Sequence, residues 1–327
     1  MRSDLEAVTG APRGRDPTHH SYGKIARWVA GRLQEQGVLP AGDGRSRLKR
    51  YLQTFEWDQR FAPGRGRSDN VIGIRPGDGS TREAILVIAH LDGLSGAQKR
   101  TIEAAAARSG KPLDMSRYQG ANDNGSAVAA ALHVSDALRR LERLKGRPLS
   151  RDVVFFFPSA EEEGLKGTEA FTRFARHFGD KRFVAAINFE MVGRGNPARI
   201  RLFGGNNAAD ALRNPVYRRA MALPTRGAMA RLIPGHEHDG GERWFTRSDH
   251  YVTALGGVPS VMYVGEPGDY HRPADNLASI DVRTNRAVSR HATRLVVDLA
   301  NAASPAPSGR PLPFKVRTGY GGKVYRP

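Results

Sequence analysis

Short apolar runs alternate with helical patterns along most of the chain. Four apolar runs predict buried strands, over residues 83–90, 152–158, 183–191 and 258–265. Apolar residues spaced by three or four positions predict helices over residues 20–37, 124–144, 167–178, 209–222 and 283–303. Strands that are buried on both faces and separated by helices are typical of a sheet covered on both sides. The pattern therefore predicts an α/β fold, a three-layer sandwich around a mostly parallel, mixed sheet.

The pattern is interrupted at both ends and in one long connection. Residues 1–19 are polar and contain Gly and Pro, so we expect a flexible segment there. Residues 304–327 contain several Pro and Gly without periodicity, which predicts a tail. Residues 94–119 form a long connection with a small Ala-rich helix, and long connections inside a domain often carry function. We therefore expect one folded, catalytic domain over residues 20–303.

Basic residues outnumber acidic residues by 51 to 33, which gives a formal net charge of +18. This excess predicts either an Arg-rich solvated surface or a weak attraction to anionic surfaces. The basic residues are scattered along the chain and no nucleic-acid-binding motif accompanies them, so we expect no specific nucleic-acid partner. The hydrophobic content of 39% is sufficient for a sizeable core, which excludes a disordered chain.

The chain contains no cysteine, which excludes disulfides, thiolate nucleophiles and thiolate metal sites. Any metal ion must therefore be held by histidines and carboxylates. No stretch reaches the roughly 18 apolar residues of a membrane span, so we expect no transmembrane segment. The first residues lack the apolar run of a signal peptide, so we expect either a cytoplasmic protein or a sequence that begins after a targeting segment.

Histidines and carboxylates lie at or after the ends of the predicted strands, and one further carboxylate, Asp123, directly precedes the predicted helix at residues 124–144. These residues are His90, Asp92, Asp123, Glu161, Glu162, Glu190, His271 and Asp275. In open α/β sheets ligands bind at the carboxyl ends of the strands, so we expect these side chains to share one edge. Imidazole and carboxylate without thiolate suit zinc and related divalent ions. The sequence therefore predicts a metal site at this edge.

Peptide hydrolysis explains why such residues would be grouped. A zinc ion polarises a carbonyl and lowers the pKa of a water, and two ions can share a bridging carboxylate. Asp123 is a plausible bridge, because the neighbouring glycines permit tight loop geometry. A further carboxylate must carry the proton of the water to the leaving amine. The adjacent Glu161 and Glu162 could divide these roles, one as ligand and one as proton carrier.

Six motifs occur in an order that resembles the co-catalytic di-zinc aminopeptidase family. They are HLDG, GANDNGS, EEEGLKG, NFEMVG, RSDH and YHRPAD. This family includes bacterial leucyl aminopeptidases and, more distantly, glutamate carboxypeptidase and glutaminyl cyclase. The resemblance covers about residues 70–301, and six motifs in one order are far more specific than any one of them.

The resemblance implies a role for each matching position. His90, Asp123 and Glu190 would hold one zinc ion, and Asp123, Glu162 and His271 would hold the other. Those positions do not exclude Mn²⁺ or Co²⁺, which use similar ligands. The family most often has Asp where this chain has Glu190, and the longer side chain could change its mode of ligation and the substrate preference.

Other positions match residues that act around the metal ions in the family. Glu161 would be the general base and acid, and Asp92 would fix the tautomer of its metal-ligating neighbour His90. Tyr270 would stabilise the developing oxyanion. The matches at Arg247, Ser248 and Asp249 predict substrate contacts. The match at Asp275 predicts support of His271 or of its loop.

The resemblance predicts an aminopeptidase acting on peptide substrates, and it favours a secreted or periplasmic protein. A carboxypeptidase or dipeptidase on the same site is the alternative, because Arg247 and Arg272 could bind a substrate carboxylate. A glutaminyl cyclase is a weaker alternative, since five ligands for two metal ions are present. A non-catalytic binding module would lack a ligand or the base, and none is missing. The polar cluster at residues 236–239, HEHD, is interpreted as a solvent loop near the active site.

Overall fold

The structure is a computed structural model of the chain. It describes residues 1–10, 15–225, 232–235, 244–302, 317–318 and 324–325. Within these residues the strands are β1 (Leu39–Pro40), β2 (Leu52–Asp58), β3 (Arg65–Arg75), β4 (Glu83–Ile88), β5 (Asp152–Phe157), β6 (Arg182–Glu190), β7 (Arg201–Phe203), β8 (Ile233–Pro234), β9 (Ser260–Val264), β10 (Arg317–Thr318) and β11 (Val324–Tyr325). The helices are α1 (Arg2–Thr9), α2 (Tyr22–Glu35), α3 (Gly96–Arg108), α4 (Ala127–Lys145), α5 (Lys166–Phe174), α6 (Ala208–Arg213), α7 (Pro215–Ala222), α8 (His250–Leu255) and α9 (Val282–Asn301).

The first nine strands form one mixed sheet in the order β1-β3-β5-β4-β6-β9-β7-β8, with β2 also paired to β3. Its centre, from β5 through β4 and β6 to β9, is parallel. Antiparallel strands flank this centre, with β3 beside β5 and β7 beside β9. The carboxyl ends of the four central strands therefore meet at one edge of the sheet.

Helices cover both faces of the sheet, and β4 shows how the sequence produces this arrangement. Successive side chains of a strand point to opposite faces. Ile85 and Val87 pack in the cluster that contains α2, α4 and α9. Leu86 and Ile88 pack on the other face with Phe171 of α5. All six residues of the strand are buried, and the predicted three-layer α/β sandwich is confirmed.

The Arg- and Gly-rich stretch before β4, to which the apolar pattern assigns no element, contains two long strands. Strands β2 and β3 form a long antiparallel pair, with Leu52 opposite Val71 and Asp58 opposite Arg65. Alternate residues of β2, including Phe55 and Trp57, are buried while the residues between them are exposed. The basic residues of this pair sit mainly on the solvent side of the strands, so they do not prevent sheet formation.

The prediction of a flexible segment over residues 1–19 is wrong for residues 2–9. These residues form α1, which packs against α4 and buries Leu5 and Val8 completely. A helix of two turns is too short to show a reliable period in the sequence, and burial against a neighbouring helix stabilises it. The boundaries of the predicted domain at residues 20 and 303 stay predictions. The predicted tail is described only at β10 and β11, which pair antiparallel.

In the part of the chain that the structure describes, no helix combines the length and the apolar character that crossing a bilayer requires.

Candidate metal centre

The predicted ligands converge at the carboxyl edge of the sheet. His90 follows β4, Glu161 and Glu162 follow β5, and Glu190 is the last residue of β6. Because β4 lies between β5 and β6, residues after these strands are neighbours in space. His271 reaches the same edge from the loop after β9. The structure therefore brings together side chains that are up to about 180 residues apart in the sequence.

Asp123 lies between the two histidines. Its Oδ1 is 3.3 Å from Nε2 of His90, and its Oδ2 is 3.3 Å from Nε2 of His271. The residue belongs to the irregular turn Ala121–Ser126, which precedes α4 and follows Gly120 in the left-handed region. The two carboxylate oxygens thus face two different imidazoles, as expected of a bridging carboxylate.

Two groups of side chains offer ligand atoms within 4.8 Å of one another. The inner group consists of His90, Glu161 and Glu190, and the outer group consists of Asp123, Glu162 and His271. Imidazole nitrogen and carboxylate oxygen are ligands that zinc accepts in catalytic sites. The donor set therefore fits zinc, and the geometry of the residues supports zinc binding.

Asp92 organises the acidic loop after β5. Its Oδ1 accepts a hydrogen bond from the backbone N–H of Glu161 at 3.1 Å, and its Oδ2 accepts one from Glu162 at 3.2 Å. Nδ1 of His90 lies 3.5 Å from the carboxylate of Asp92 and 3.2 Å from its carbonyl oxygen. The buried carboxylate therefore connects a histidine of the inner group to the backbone of both glutamates.

Asp275 supports the backbone of Asp123 rather than the imidazole of His271. Its carboxylate accepts hydrogen bonds from the backbone N–H groups of Asn122, at 2.7 Å, and Asp123, at 3.1 Å. Its own N–H donates to the carbonyl of Arg272. Asp275 thereby joins the loop that carries His271 to the turn that carries Asp123.

Glu190 is held by a side chain on a neighbouring segment. Ser248 donates a hydrogen bond of 2.6 Å to its Oε2, while Oε1 lies 3.5 Å from Nε2 of His90. Asn188 in turn donates to Oγ of Ser248 at 2.7 Å. One carboxylate oxygen of Glu190 is therefore hydrogen-bonded to Ser248, and the other faces His90.

Burial and mutual charge perturb the acid–base properties of the centre. Burial raises the pKa of Glu161 well above its ordinary value, and Glu162 and Glu190 raise it further against the effect of His90. Burial disfavours the charged form of His271, yet Glu162 and Asp123 raise its pKa to about 10. The pKa of His90 is likewise raised, since the carboxylates of the inner group outweigh its burial. Without a cation, the shifts at Glu161 and at the two histidines therefore favour the protonated form of each of these three groups.

Four of the candidate residues, Asp123, Glu161, Glu162 and Glu190, line a cleft. Its wall includes the apolar side chains of Met191, Trp244 and Met262. Arg247 lies over the ring of Trp244, at 5.4 Å, and over that of Tyr270, at 5.9 Å. The ring of Tyr270 stacks on the imidazole of His271, and 37% of this tyrosine is exposed. The cleft thus combines an apolar wall with one cation and one phenol beside the ligands.

Asp249 does not line this cleft, in contrast to the substrate contact predicted for it. Its side chain is fully buried and accepts a hydrogen bond of 2.5 Å from Thr168. Burial raises its pKa to about 7. Ser248 and Arg247, from the same motif, do line the cleft. Asp249 directly precedes α8, and its side chain points into the protein toward Thr168 of α5.

Three residues that support the site are absent from the sequence-based assignment. They are Asn188, Thr168 and Gln98, which contact Ser248, Asp249 and the carbonyl of Glu162. Only Asn188 has a signal in the sequence, because it lies two positions before Glu190 on a strand and shares its face. The polar cluster at residues 236–239 lies outside the described residues.

Backbone conformation is unusual around the ligands. Four non-glycine residues of the described chain have positive φ, and three of them adjoin the centre. Ala160 precedes the acidic pair with φ 54°, Met191 follows Glu190 with φ 49°, and His271 itself has φ 54°. Such conformations are costly and cluster where a surrounding structure imposes them. The surrounding structure therefore imposes unfavourable backbone conformations at or next to the candidate ligands.

A model of peptidase family M28 matches residues 70–296, which includes every candidate ligand. No curated protein sequence matches this chain. Among solved structures, the LapA aminopeptidase of Legionella pneumophila is similar at 16% identity and a TM-score of 0.65. This match covers 92% of this chain and 71% of LapA.

Two further solved structures match this chain over nearly the whole length of both proteins. BSAP, a zinc aminopeptidase from Bacillus subtilis, is 16% identical with a TM-score of 0.62, over 94% of this chain and 96% of BSAP. A glutaminyl cyclase from Porphyromonas gingivalis is 19% identical with a TM-score of 0.63, over 90% of this chain and 96% of the cyclase. At such identities the likeness establishes the shared fold.

Proposed function

The chain belongs to peptidase family M28, and from that premise we propose that it is a two-zinc aminopeptidase that releases N-terminal residues from peptides. Family membership and the ligand chemistry support the coarser statement, a metallo-exopeptidase that binds zinc. The number of metal ions, the assignment of the base and the preference for a free N-terminus are the parts that we propose.

The position of Asp123 carries the proposal. Each of its carboxylate oxygens lies 3.3 Å from a different histidine, and the two histidines belong to different ligand groups. A structural aspartate would need only one such partner. A carboxylate shared by two groups is what a pair of divalent ions requires.

Glu161 is the residue that we assign to proton transfer. When bound, the metal ions would polarise the substrate carbonyl and lower the pKa of a water. Glu161 lies at the cleft, and burial raises its pKa well above its ordinary value. It takes a proton from the water and delivers it to the leaving amine, a transfer that needs a pKa closer to neutrality than a free carboxylate has. The phenol of Tyr270 donates to the oxygen of the carbonyl that is attacked.

The cleft also supports a preference for an apolar side chain at the N-terminal residue. Met191 and Met262 line it together with Trp244, and the carboxylates beside them would attract the free amine of a peptide. Peptides with an apolar first residue are therefore the substrate class that we propose.

A carboxypeptidase or dipeptidase remains the second candidate because of Arg247. Its guanidinium lines the same cleft and could bind a substrate carboxylate. Arg272, the other arginine considered for this role, is exposed and is not among the residues that line the cleft. One arginine favours this candidate less than a pair would.

Metal analysis and a matched substrate panel test the proposal. Purified protein should contain two zinc ions per chain, and a chelator should abolish activity that added zinc restores. Mn²⁺ and Co²⁺ should be tested in the same reconstitution, because they accept similar ligands. The panel compares Leu-Gly-Gly with its N-acetylated and C-amidated forms and with a peptide that begins with Gln.

The expected result is hydrolysis of the free and amidated peptides and none of the acetylated peptide. Hydrolysis that requires the free carboxylate would instead identify a carboxypeptidase or dipeptidase, and cyclisation of the Gln peptide would identify a cyclase. A chain that binds no divalent metal would contradict the enzymatic proposal altogether. A secreted or periplasmic location and a weak attraction to anionic surfaces stay predictions.

A further inference from the structure

The segment before α2 extends to the loops of the metal centre. Gly93, three residues after His90, donates its backbone N–H to the carbonyl of Arg15 at 3.0 Å. The neighbouring Asp16 accepts a hydrogen bond from the N–H of Gly96, at the start of α3. Residues 15 and 16 therefore contact a part of the chain about 80 positions away, directly beside the site.

The side chain of Arg15 continues from there into the turn that carries Asp123. It is 3% exposed, and its Nη2 donates to the carbonyl of Gly120 at 2.6 Å and to that of Asp123 at 2.9 Å. Within the described residues, its Nε and Nη1 have no hydrogen-bond partner. The hydrogen bonds that the described structure assigns to this guanidinium thus go to two carbonyls of one turn.

These carbonyls need an external donor because the turn is irregular. Gly120 has φ +61°, and Asp123 has φ −105° and ψ 93°, which are not helical values. The other contacts are longer, with the N–H of Gly125 at 3.2 Å from the first carbonyl and the hydroxyl of Tyr118 at 3.4 Å from the second. A buried carbonyl that loses its donor is left without a hydrogen bond, which destabilises the conformation that buries it.

The backbone of Asp123 is therefore held from both sides. Its N–H donates to the carboxylate of Asp275, and its carbonyl accepts from Arg15. The plane of its side chain depends on this backbone, because both carboxylate oxygens must face a histidine. Arg15 also places a positive charge near the buried carboxylate of Asp275 and so offsets part of its repulsion with Asp123.

We propose that Arg15 is a positioning residue of the metal centre, which fixes the backbone of Asp123 so that its carboxylate can serve both ligand groups. The N-terminal segment is then part of the active centre instead of a dispensable extension. The link to metal binding rests on the proposed function. The link to the conformation of the turn does not, so the two can fail separately.

The test compares Arg15→Ala and Arg15→Lys with Arg32→Ala. Arg32 donates to Asp4 of α1 at 3.1 Å and makes no hydrogen bond to the turn, so its loss loosens the N-terminal segment without removing a donor from the turn. Zinc affinity is measured by competition with a chelator, and amide hydrogen exchange of residues 120–126 is measured on metal-free protein. Steady-state kinetics then separate kcat from KM.

Residues that orient metal ligands typically contribute about 10–100-fold to affinity. We expect Arg15→Ala to weaken zinc binding by at least tenfold, to speed exchange in the turn, and to lower kcat more than it raises KM. Arg15→Lys keeps the charge but cannot reproduce the planar donor group, so we expect a smaller loss of at least threefold. This variant also decides the matter if the alanine variant does not fold. Arg32→Ala should change zinc affinity by less than twofold.

Wild-type affinity and unchanged exchange in the Arg15 variants would overturn the proposal. Equal losses in Arg15→Ala and Arg32→Ala would also overturn it, because they would indicate general tethering of the segment. If the wild-type protein bound no zinc, the two-zinc function would fail, and faster exchange in Arg15→Ala would still establish its effect on the turn.

Discussion

The inner and outer ligand groups are built on different kinds of backbone. His90 and Glu190 stand at the ends of two neighbouring parallel strands, and the side chain of His90 is 1% exposed. His271 stands in a loop, has a left-handed backbone conformation, and has a side chain that is 22% exposed. The inner group is therefore fixed by the sheet, whereas the outer group depends on packing between loops.

This difference predicts that the two groups hold their ligand atoms with different rigidity. Strands at the centre of a sheet hold a ligand to within small displacements, and a loop allows a ligand to adjust when a substrate enters. The stacked ring of Tyr270 and the bonds of Asp275 limit that adjustment without removing it. We expect a tightly held inner metal ion and a more exchangeable outer one.

The acidic pair tests the comparison most strongly, because adjacent residues belong to different groups. Glu161→Gln should lower kcat by roughly 10²–10⁴-fold, the usual contribution of a general base, while both metal ions are retained. Glu162→Ala should instead empty or weaken the outer site. Elemental analysis and steady-state kinetics on the two variants provide the measurement.

The matched control for the acidic pair is Glu163→Gln. Glu163 lies in the same loop but binds Ser95 and the backbone of Arg60 outside both groups. Its substitution should leave kcat within a few-fold of wild type. Near-normal turnover in Glu161→Gln, or loss of a metal ion from it, would refute its assignment as the base.

Removal of each histidine should reveal the difference in burial. His90→Ala leaves the carboxylates of Glu161 and Glu190 without their buried cationic partner, which costs about 3 kcal/mol in similar cases. His271→Ala removes a partner that is 22% exposed, so we expect it to destabilise the protein less than His90→Ala does. The measurement is chemical denaturation of metal-free protein at pH 6.

That pH is chosen because the pKa values of both histidines are raised in the folded protein. A raised pKa contributes stability that is complete below the unfolded value of about 6.5. The contribution of His271 is then lost as the pH rises through about 10. Equal destabilisation by the two variants would contradict the distinction between the groups.

The inner group was also the easier one to predict from the sequence. Its residues follow continuous apolar runs such as EAILVIAH, and the period of these runs identifies the strands directly. The motifs then identify the chemistry of the outer ligands as well. What a motif does not contain is the conformation of the loop that carries His271, since this depends on residues far along the chain.

The contacts that support the ligands were harder to predict for the same reason. Asp275 binds a backbone N–H that lies 152 residues away, and Arg15 binds a carbonyl 108 residues away. No local period or propensity encodes such a pair. The hairpin of β2 and β3 is not among the predicted elements for another reason. Its many charged residues obscure the alternation of Phe55 and Trp57 with exposed positions.

Zinc affinity should fall as the pH falls, because the ligands must lose protons to bind a metal ion. His90 and His271 both hold protons in the metal-free protein at neutral pH, since their pKa values are raised. Each displaced proton changes the affinity by about tenfold per pH unit, up to about pH 10 for His271. Calorimetry in buffers of different ionisation enthalpy counts the protons released.

The same experiment on His271→Ala sharpens the comparison. The variant should bind zinc at the inner group with one proton fewer released, and its affinity should depend less steeply on pH. Release of no protons by the wild-type protein would show that the imidazoles are neutral before binding, against the direction of their pKa shifts.

The smallest expected effect concerns the glutamate that replaces the usual aspartate of the family. Ser248 engages one oxygen of Glu190, so Ser248→Ala should weaken the inner zinc site by about tenfold. In the Glu190→Asp background the shorter carboxylate can no longer reach Ser248 and the ligand position together, so the same serine substitution should have little further effect. The non-additivity of the two changes measures the coupling. Ser289→Ala, a buried serine that donates to Asn285 on α9, is the matched control. Additive losses would show that Ser248 acts on the fold and not on the orientation of Glu190.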